Sequence, residues 1–195
     1  MTQSYFDGKA DIWDEKIAEK DMAKLQNMAD NLDIEPGSKV LDVGTGTGIF
    51  VPFLLKKVGK KGKLVCLDYS EKMLEKAREK KFWGNIEYVR SDVTSTKFED
   101  GVFDAVVCYS SFPHFSDKHR ALREIQRILK RGGELFICHT SSRTAINGIH
   151  NHIPELAGDL IPDRHEMLHL LASAGFGKIE IHDEVSSYLA RAVKL

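Results

Sequence analysis

The sequence predicts a single α/β domain in which helices cover both faces of a doubly wound, mainly parallel β-sheet. Its 195 residues suffice for one domain of ordinary size with a continuous hydrophobic core. Apolar runs of strand length alternate with amphipathic segments, which is typical of successive strand–helix–strand units. Several of these runs are apolar at consecutive positions, as strands buried on both faces must be. The first run leads into a glycine-rich turn.

Seven strands follow from the apolar runs. Only Ser186 and Ser187 separate the last two. Because a parallel crossover needs a dozen or more residues, so short a link demands an antiparallel pair. We place the strands at residues 39–44, 63–68, 86–91, 103–109, 134–139, 178–185 and 188–195.

Capping residues and helical spacing predict the helices of the core. Ser70 is a candidate N-cap for the helix after the second strand, and Asp117 is one for the helix after the fourth. The latter helix is expected to end at Gly132-Gly133, a common C-cap signal. Residues 163–174 form another helix. Residues 141–162 show no single period, so we expect an ordered or semi-mobile loop with at most a short helix.

The start of the chain is predicted to be an appendage on this core. Residues 10–32 have the spacing of one charged amphipathic helix. Its apolar positions are Ile12, Trp13, Ile17, Met22, Leu25 and Met28. We therefore divide the chain into an N-terminal helical lid or appendage, residues 1–35, and the core domain, residues 36–195.

Composition excludes several classes of protein. The 28 basic residues balance 29 acidic ones, so a nucleic-acid partner is not favoured. No apolar run approaches the roughly 20 residues that span a bilayer, and residues 1–14 lack the layout of a signal peptide, so we expect a cytoplasmic protein. The three cysteines, Cys66, Cys108 and Cys138, lie in separate strand-like runs and are interpreted as core residues.

Candidate binding groups end the first three strands. The first strand continues as D-x-G-x-G-x-G from Asp42 to Gly48, and alternate glycines let a ligand approach the backbone. The second strand ends at Asp68, whose carboxylate can accept both hydroxyls of a ribose. After the third, Asp92 can accept an adenine amine while the Val93 amide donates to the ring. A surface carboxylate at Asp68 and a helix cap at Asp92 are the alternatives.

Five segments carry a family resemblance through their order and spacing. They are VLDVGTGTG, LDYSEKML, RSDV, FDAVVCYSSFPHF and LKRGGELFI. Over roughly residues 38–185, the chain resembles class I S-adenosylmethionine-dependent methyltransferases, and most of all the small-molecule branch, type 11, that includes ubiquinone and menaquinone methyltransferases. The resemblance implies a Rossmann-like sheet of seven strands in the order 3-2-1-4-5-7-6, whose last strand is antiparallel.

The same resemblance implies a cofactor and a reaction. The chain would bind S-adenosylmethionine and transfer its methyl group in line to a small-molecule acceptor that the motifs do not specify. The glycines of the turn would face the methionyl part, Asp68 would hold the ribose, and Tyr69 and Val93 would flank the adenine. The candidate cofactor-binding residues are Asp42, Gly44, Gly46, Gly48, Asp68, Tyr69, Asp92, Val93 and Tyr109.

Four histidines are candidates for the acceptor side. His114 follows the fourth strand and is the candidate catalytic base, because imidazole takes up protons near neutral pH. His139, His150 and His152 are candidate substrate contacts. We expect all four to approach one another over the transfer pocket, as a base and polar clamp or as ligands of zinc or copper. A capping role for His114, a structural His139 and a hydrated surface loop are the alternatives.

One segment also fits the zinc-binding pattern of metalloproteases. His165 and His169 fit HExxH, in which two histidines one helical turn apart bind zinc. Helical spacing sets Met167 and Leu171 on the apolar side and the histidine pair on the opposite one. We therefore expect the pair to point into solvent, and predict no metal site there.

Two other functions are alternatives to the methyltransferase. A nicotinamide-linked oxidoreductase uses the same strand-to-helix turn, but with the spacing G-x-G-x-x-G and with a separate catalytic domain. The turn here has the spacing G-x-G-x-G, with a threonine after each of its first two glycines. A non-catalytic module that retained the cofactor pocket is the second rival.

Overall fold

The computed structural model describes residues 2–16 and 18–195, with the side chains from residue 4 onward. The strands are β1 Lys39–Val43, β2 Lys63–Asp68, β3 Ile86–Arg90, β4 Phe103–Tyr109, β5 Leu129–His139, β6 Phe176–Glu184 and β7 Ser187–Lys194. They form one sheet in the order β3-β2-β1-β4-β5-β7-β6. Neighbours are parallel from β3 to β5, whereas β7 runs antiparallel to both β5 and β6. The predicted fold class, strand order and antiparallel end are confirmed.

Helices connect the strands and begin where the capping residues predicted. The Ser70 hydroxyl accepts the backbone N–H of Met73, and the Asp117 carboxylate accepts that of Arg120. Within the described residues, no helix is long and apolar enough to span a bilayer. The helices are α1 Thr2–Lys9, α2 Trp13–Lys16, α3 Met22–Asp30, α4 Val51–Val58, α5 Glu71–Glu79, α6 Lys118–Ile128, α7 Arg143–Asn151 and α8 Arg164–Ser173.

Two hydrophobic cores lie on opposite faces of the sheet. Alternate strand residues point to opposite faces, so Leu41 joins the core under α6 and α8 while Val40 joins the core under α3 and α4. All three cysteines are free and buried in these cores. Because every central strand is covered on both faces, its polar groups can be reached only at its ends.

The single helix predicted over residues 10–32 is wrong. The chain instead forms α1, a 3-10 turn at Ala10–Ile12, α2 and then α3. Asp21 starts a new helix because its carboxylate accepts the backbone N–H groups of Ala23 and Lys24. Ile17, one of the apolar positions behind the prediction, lies outside the described residues.

The predicted helix end at Gly132-Gly133 is also wrong. Helix α6 ends at Ile128, and Leu129 already pairs with Phe103 in the sheet. The register then shifts, which makes a bulge in β5, and Gly132 adopts a φ of 75° there. Because Leu129 is buried in the sheet, the helix ends before the two glycines. Gly132 and Gly133 therefore lie in an irregular part of β5.

Much of the loop expected over residues 141–162 is helical. The Ser142 hydroxyl accepts the N–H of Ala145 and caps α7. Only Ile146 of this helix is buried, so few core residues mark the helix in the sequence. A 3-10 turn at Pro154–Leu156 follows.

We expect Gly44→Ala to destabilise the fold far more than Gly46→Ala. Both glycines have positive φ, 70° and 54°, which costs an alanine roughly 1–2 kcal/mol. A Cβ on Gly44 would lie 2.4 Å from the Ser111 Cβ, whereas one on Gly46 meets nothing within 4 Å. Overpacking should bring the cost for Gly44→Ala to roughly 2–5 kcal/mol. Denaturant unfolding measures both, and equal losses would contradict the close approach.

Candidate active site

A cavity of about 530 Å³ opens at the carboxyl edge of the sheet. The loops after β1 to β5 line it from below, and residues of α1, α2 and α7 cover it. Its volume lies within the usual range of small-molecule sites. Every candidate cofactor-binding residue except Asp42 and Gly48 lies in its lining, together with His114, His139 and His150.

The glycine-rich turn after β1 is fastened to the end of β2. The carbonyl of Leu67 accepts the N–H groups of Gly44 and Thr45, at 2.7 and 3.1 Å. The N–H of Gly46 donates to Asp68 Oδ2 at 2.8 Å. Because a Cβ at Gly46 would meet open space, a ligand can approach this backbone closely.

Asp68 is nearly buried and lies at the base of the cavity. Its Oδ1 accepts the N–H of Ser70 at 2.9 Å, so the carboxylate joins the turn to the start of α5. Burial raises the pKa of Asp68 to about 6, against the lowering effect of these backbone donors.

Asp42 is a second buried carboxylate, beneath the turn. Its Oδ2 accepts the Thr45 hydroxyl at 2.5 Å, and it does not line the cavity. Burial raises the pKa of Asp42 to about 7. The hydrogen bond from Thr45 lowers this pKa, whereas the nearby Asp68 carboxylate raises it further. Asp42 therefore supports the turn from within the core.

The loops after β2 and β3 form one wall of the cavity. Val93 is buried, whereas the Asp92 carboxylate is exposed and accepts the N–H of Thr94 at 2.7 Å. This bond makes a local turn, but no helix begins there, so Asp92 is not the helix cap of the alternative interpretation; Asp92 also lines the cavity. Tyr69 lies on the same wall, 6.4 Å from the Phe6 ring.

Tyr109 and the residues after it form the opposite wall. The Tyr109 ring stacks on Phe50 at 4.4 Å, and its hydroxyl is 3.1 Å from the Thr140 hydroxyl. Burial raises the pKa of Tyr109 to about 12, so it is a neutral donor. Ser110 then adopts a left-handed φ of 51°, a strained conformation that sequence patterns did not indicate.

Three of the four candidate histidines meet at one end of the cavity. The rings of His114 and His150 are 5.0 Å apart, and His139 is buried close to both. Burial and these two neighbours lower the pKa of His139 to about 3, which keeps it neutral. His152 is exposed, contacts the carbonyl of Gly148 and lies outside the lining, because it follows α7 on its solvent side.

The HExxH pair points away from this cavity. His165 and His169 are both exposed on α8, while Met167 and Leu171 are buried. Within residues 2–16 and 18–195, no group of three or more His, Cys, Asp or Glu side chains has the arrangement of a metal site.

Carboxylates of the N-terminal segment bind three of the loops that form the cavity. Asp7 accepts the Ser70 hydroxyl, Asp14 accepts that of Thr47, and Glu19 accepts that of Thr140. Sequence patterns indicated a lid or appendage at the start of the chain but not these bonds, because single carboxylates in a charged segment carry no period.

Sequence patterns also did not indicate Asp159 as a residue of the site. It lies between the Pro154–Leu156 turn and α8, and its Oδ2 is 2.9 Å from Nδ1 of His114. The two residues are 45 positions apart in the chain. Only the folding of α7 over the sheet edge brings them together.

Comparisons with known proteins agree with this geometry. Residues 41–137 match a family described as a methyltransferase domain. The ubiquinone/menaquinone biosynthesis C-methyltransferase of Cronobacter sakazakii is 28% identical over 184 residues, which covers 80% of this chain and 73% of that protein. The corresponding protein of Klebsiella pneumoniae is 27% identical with the same coverage.

Solved structures share the fold at lower identity. A possible histamine N-methyltransferase of Thermotoga maritima has a TM-score of 0.80 at 19% identity and covers 100% of both chains. A phosphoethanolamine N-methyltransferase of Haemonchus contortus, bound to S-adenosyl-L-methionine, has a TM-score of 0.76 at 16% identity and covers 100% of this chain and 57% of that one.

We expect Asp42→Asn to stabilise the protein at alkaline pH. The folded pKa of Asp42 is about 7 against an ordinary value of 3.8, so its ionisation lowers the unfolding free energy as pH rises between these values. Asparagine can still accept the Thr45 hydroxyl and carries no charge. The variant should gain about 1 kcal/mol or more at pH 8 and nothing near pH 4.

Denaturant unfolding from pH 4 to 8 measures this gain. Asp30→Asn, at an exposed position on α3, is the surface control. Parallel stability curves for wild type and Asp42→Asn would contradict a buried ionisable carboxyl.

Proposed function

Since this chain is a class I S-adenosylmethionine-dependent methyltransferase, we propose that it methylates a small, mainly apolar molecule in the cavity at the carboxyl edge of the sheet. The observation that carries the proposal is the buried carboxylate of Asp68 beside the open glycine turn, within the same cavity as three histidines. A cofactor end and an acceptor end are thus both available.

The residues present fit the cofactor. Asp68 offers two carboxylate oxygens to ribose hydroxyls, and the exposed carboxylate of Asp92 beside buried Val93 suits an adenine amine and ring. Gly44 and Gly46 would face the methionyl part, while Tyr69 would lie against the adenine. Asp42 and Gly48 shape the turn without lining the cavity.

When bound, S-adenosylmethionine supplies a methyl group on a positively charged sulfur. The protein's task is to hold an acceptor atom in line with the departing sulfur and to exclude water. His114, at the histidine end of the cavity, is the proposed base for an acceptor that must lose a proton.

The nature of the cavity supports a small acceptor. The described lining contains no lysine or arginine, while apolar residues of α7 and the following turn, such as Ile146, Ile153 and Leu156, contribute to it. The curated relatives are named as C-methyltransferases of quinone biosynthesis, which are small-molecule enzymes. Neither feature favours a nucleic-acid partner.

The part of the N-terminal segment that precedes α3 acts, in this proposal, as a lid on the cavity, whereas α3 packs on the sheet core. Phe6 is 5.0 Å from the His114 ring and 6.4 Å from that of Tyr69, and it packs against Trp13. The three carboxylate–hydroxyl bonds hold the lid to loops that flank the cavity.

A two-stage assay tests the function. Calorimetry compares S-adenosylhomocysteine with NAD, and only the former should bind. A panel of phenols, enols, amines and thiols is then screened with S-adenosylmethionine for methylated product. Preferential binding of NAD would favour the oxidoreductase, and donor binding without turnover across the panel would favour a non-catalytic module.

Asp68→Ala is expected to weaken S-adenosylhomocysteine binding by one to two orders of magnitude. It removes two hydrogen bonds from ribose hydroxyls to a charged group, each worth roughly 1.5–3 kcal/mol and partly replaced by water. Calorimetry gives the dissociation constants, with Asp30→Ala as the surface control. Unchanged affinity would rule out the ribose role.

The triple variant Asp7→Ala, Asp14→Ala and Glu19→Ala should release S-adenosylhomocysteine about tenfold faster than wild type, because the lid loses its bonds to three loops. The melting temperature of the free protein should change little, since neither sheet core is touched. Stopped-flow displacement measures the release. Glu15→Ala, an exposed carboxylate of the same segment, is the matched control. Equal release rates would argue against a lid.

A further inference from the structure

Asp159 contacts two histidines of the cavity at once. Its carboxylate Oδ2 lies 2.9 Å from Nδ1 of His114, and its backbone carbonyl accepts Nδ1 of His150. The His114 and Asp159 side chains are only 12% and 21% exposed. The pair is therefore largely shielded from water, which strengthens its interaction.

These contacts set the tautomer of each ring. A carboxylate and a carbonyl only accept hydrogen bonds, so Nδ1 of each neutral imidazole must carry the hydrogen. Nε2 of His114 and of His150 is then left with a lone pair, which is the form of imidazole that takes up a proton.

His139 gives independent evidence for a ligand at this end. It is 3% exposed, it lines the cavity, and its buried Nε2 has no hydrogen-bond partner among the described residues. A buried polar atom without a partner is costly, so an occupant with a polar group would satisfy it. Elsewhere in the cavity lining, Phe6, Phe115, Ile146, Ile153 and Leu156 contribute apolar surface.

We propose that Asp159 and His114 form a base dyad, and that the acceptor is an apolar molecule whose phenol or enol hydroxyl this dyad ionises. Asp159 is the positioning residue and His114 the catalytic residue. The proposal deepens the methyltransferase function and rests on it.

The chemistry of the site decides among acceptor classes. A phosphate or carboxylate would need a cation, and the described lining has no lysine or arginine. Lys118 lies close by, but its Nζ donates to the carbonyls of Pro113 and Phe115. An aliphatic alcohol is too weak an acid for imidazole, whereas a phenol, with a pKa of about 10, is far closer to it.

In the proposed methyl transfer, the proton and each electron pair can be followed from reactants to products. Nε2 of His114 takes the hydroxyl proton, and the imidazolium that forms is stabilised by the Asp159 carboxylate. The electron pair of the ionised acceptor, at oxygen or at a conjugated carbon, forms the bond to the methyl carbon. The carbon–sulfur bond breaks with its pair going to sulfur, which becomes a neutral thioether. His114 then returns its proton to water.

The test uses the full chain and the variants Asp159→Asn and Asp159→Ala. Glu155→Gln removes an exposed carboxylate nearby and is the matched control. Imidazole ¹⁵N spectra of His114 should show the Nδ1–H form in wild type and control. Both Asp159 variants should show more of the Nε2–H form, because an asparagine amide can donate to Nδ1 and an alanine offers no acceptor.

The ionisation of a bound phenol measures the basicity of the dyad without turnover. With S-adenosylhomocysteine present, 4-nitrophenol should bind to wild type and show more phenolate absorbance than in buffer of the same pH. The bound phenolate fraction should fall at least tenfold in Asp159→Asn and stay unchanged in Glu155→Gln.

Each contrary result overturns a defined part of the proposal. An Nε2–H tautomer in wild type, or tautomers unaffected by either variant, overturns the dyad. Absence of 4-nitrophenol binding, or binding as the neutral phenol, overturns the acceptor class. Failure of wild type to bind S-adenosylhomocysteine in calorimetry would instead overturn the proposed function, which keeps the two failures distinguishable.

Discussion

The end of β2 is the constraint on which the cavity depends. The Leu67 carbonyl and the Asp68 carboxylate receive backbone N–H groups from the β1 turn, and Asp68 also receives that of Ser70 at the start of α5. A buried carboxylate is costly unless donors surround it. The buried carboxylate of Asp68 fastens the turn and, in the proposed function, would also accept hydrogen bonds from a ligand. The raised pKa values of Asp68 and Asp42 reflect the cost of burying carboxylates.

Sequence patterns predicted the sheet well because the residues that indicate each strand lie within that strand. The central strands β2 and β4 are nearly continuous apolar runs, the outer strand β7 alternates between buried and partly buried residues, and the caps at Ser70 and Asp117 lie next to the helices that they start. Sequence patterns failed where the burial of one residue outweighed a local helix-end signal. Leu129 is buried in the sheet, so α6 ends before the Gly132-Gly133 pair that predicted its end. They also failed in α7, where Ile146 is the only buried side chain, so the helix is not marked by a run of core residues.

The residues of the candidate site also fall into those that sequence patterns could assign and those that they could not. Groups that follow strand ends, such as Asp68 and His114, could be assigned to one edge of the sheet from topology alone. Asp159 could not, because its place beside His114 depends on how α7 and the following turn cross that edge. The exposed position of His152 has the same origin, since α7 turns the chain between His150, within the helix, and His152, at its C-cap, so that the two side chains face different directions.

Phe6 has a consequence for how two ligands would share the cavity. Its ring lies against Tyr69, on the side proposed for the cofactor, and against His114, on the side proposed for the acceptor. Any displacement of this ring by one ligand changes the surface offered to the other. Thermodynamic linkage makes such an effect reciprocal, so occupancy at either end would alter affinity at the other by the same factor. One aromatic side chain thus supplies a route for heterotropic cooperativity within a single small domain.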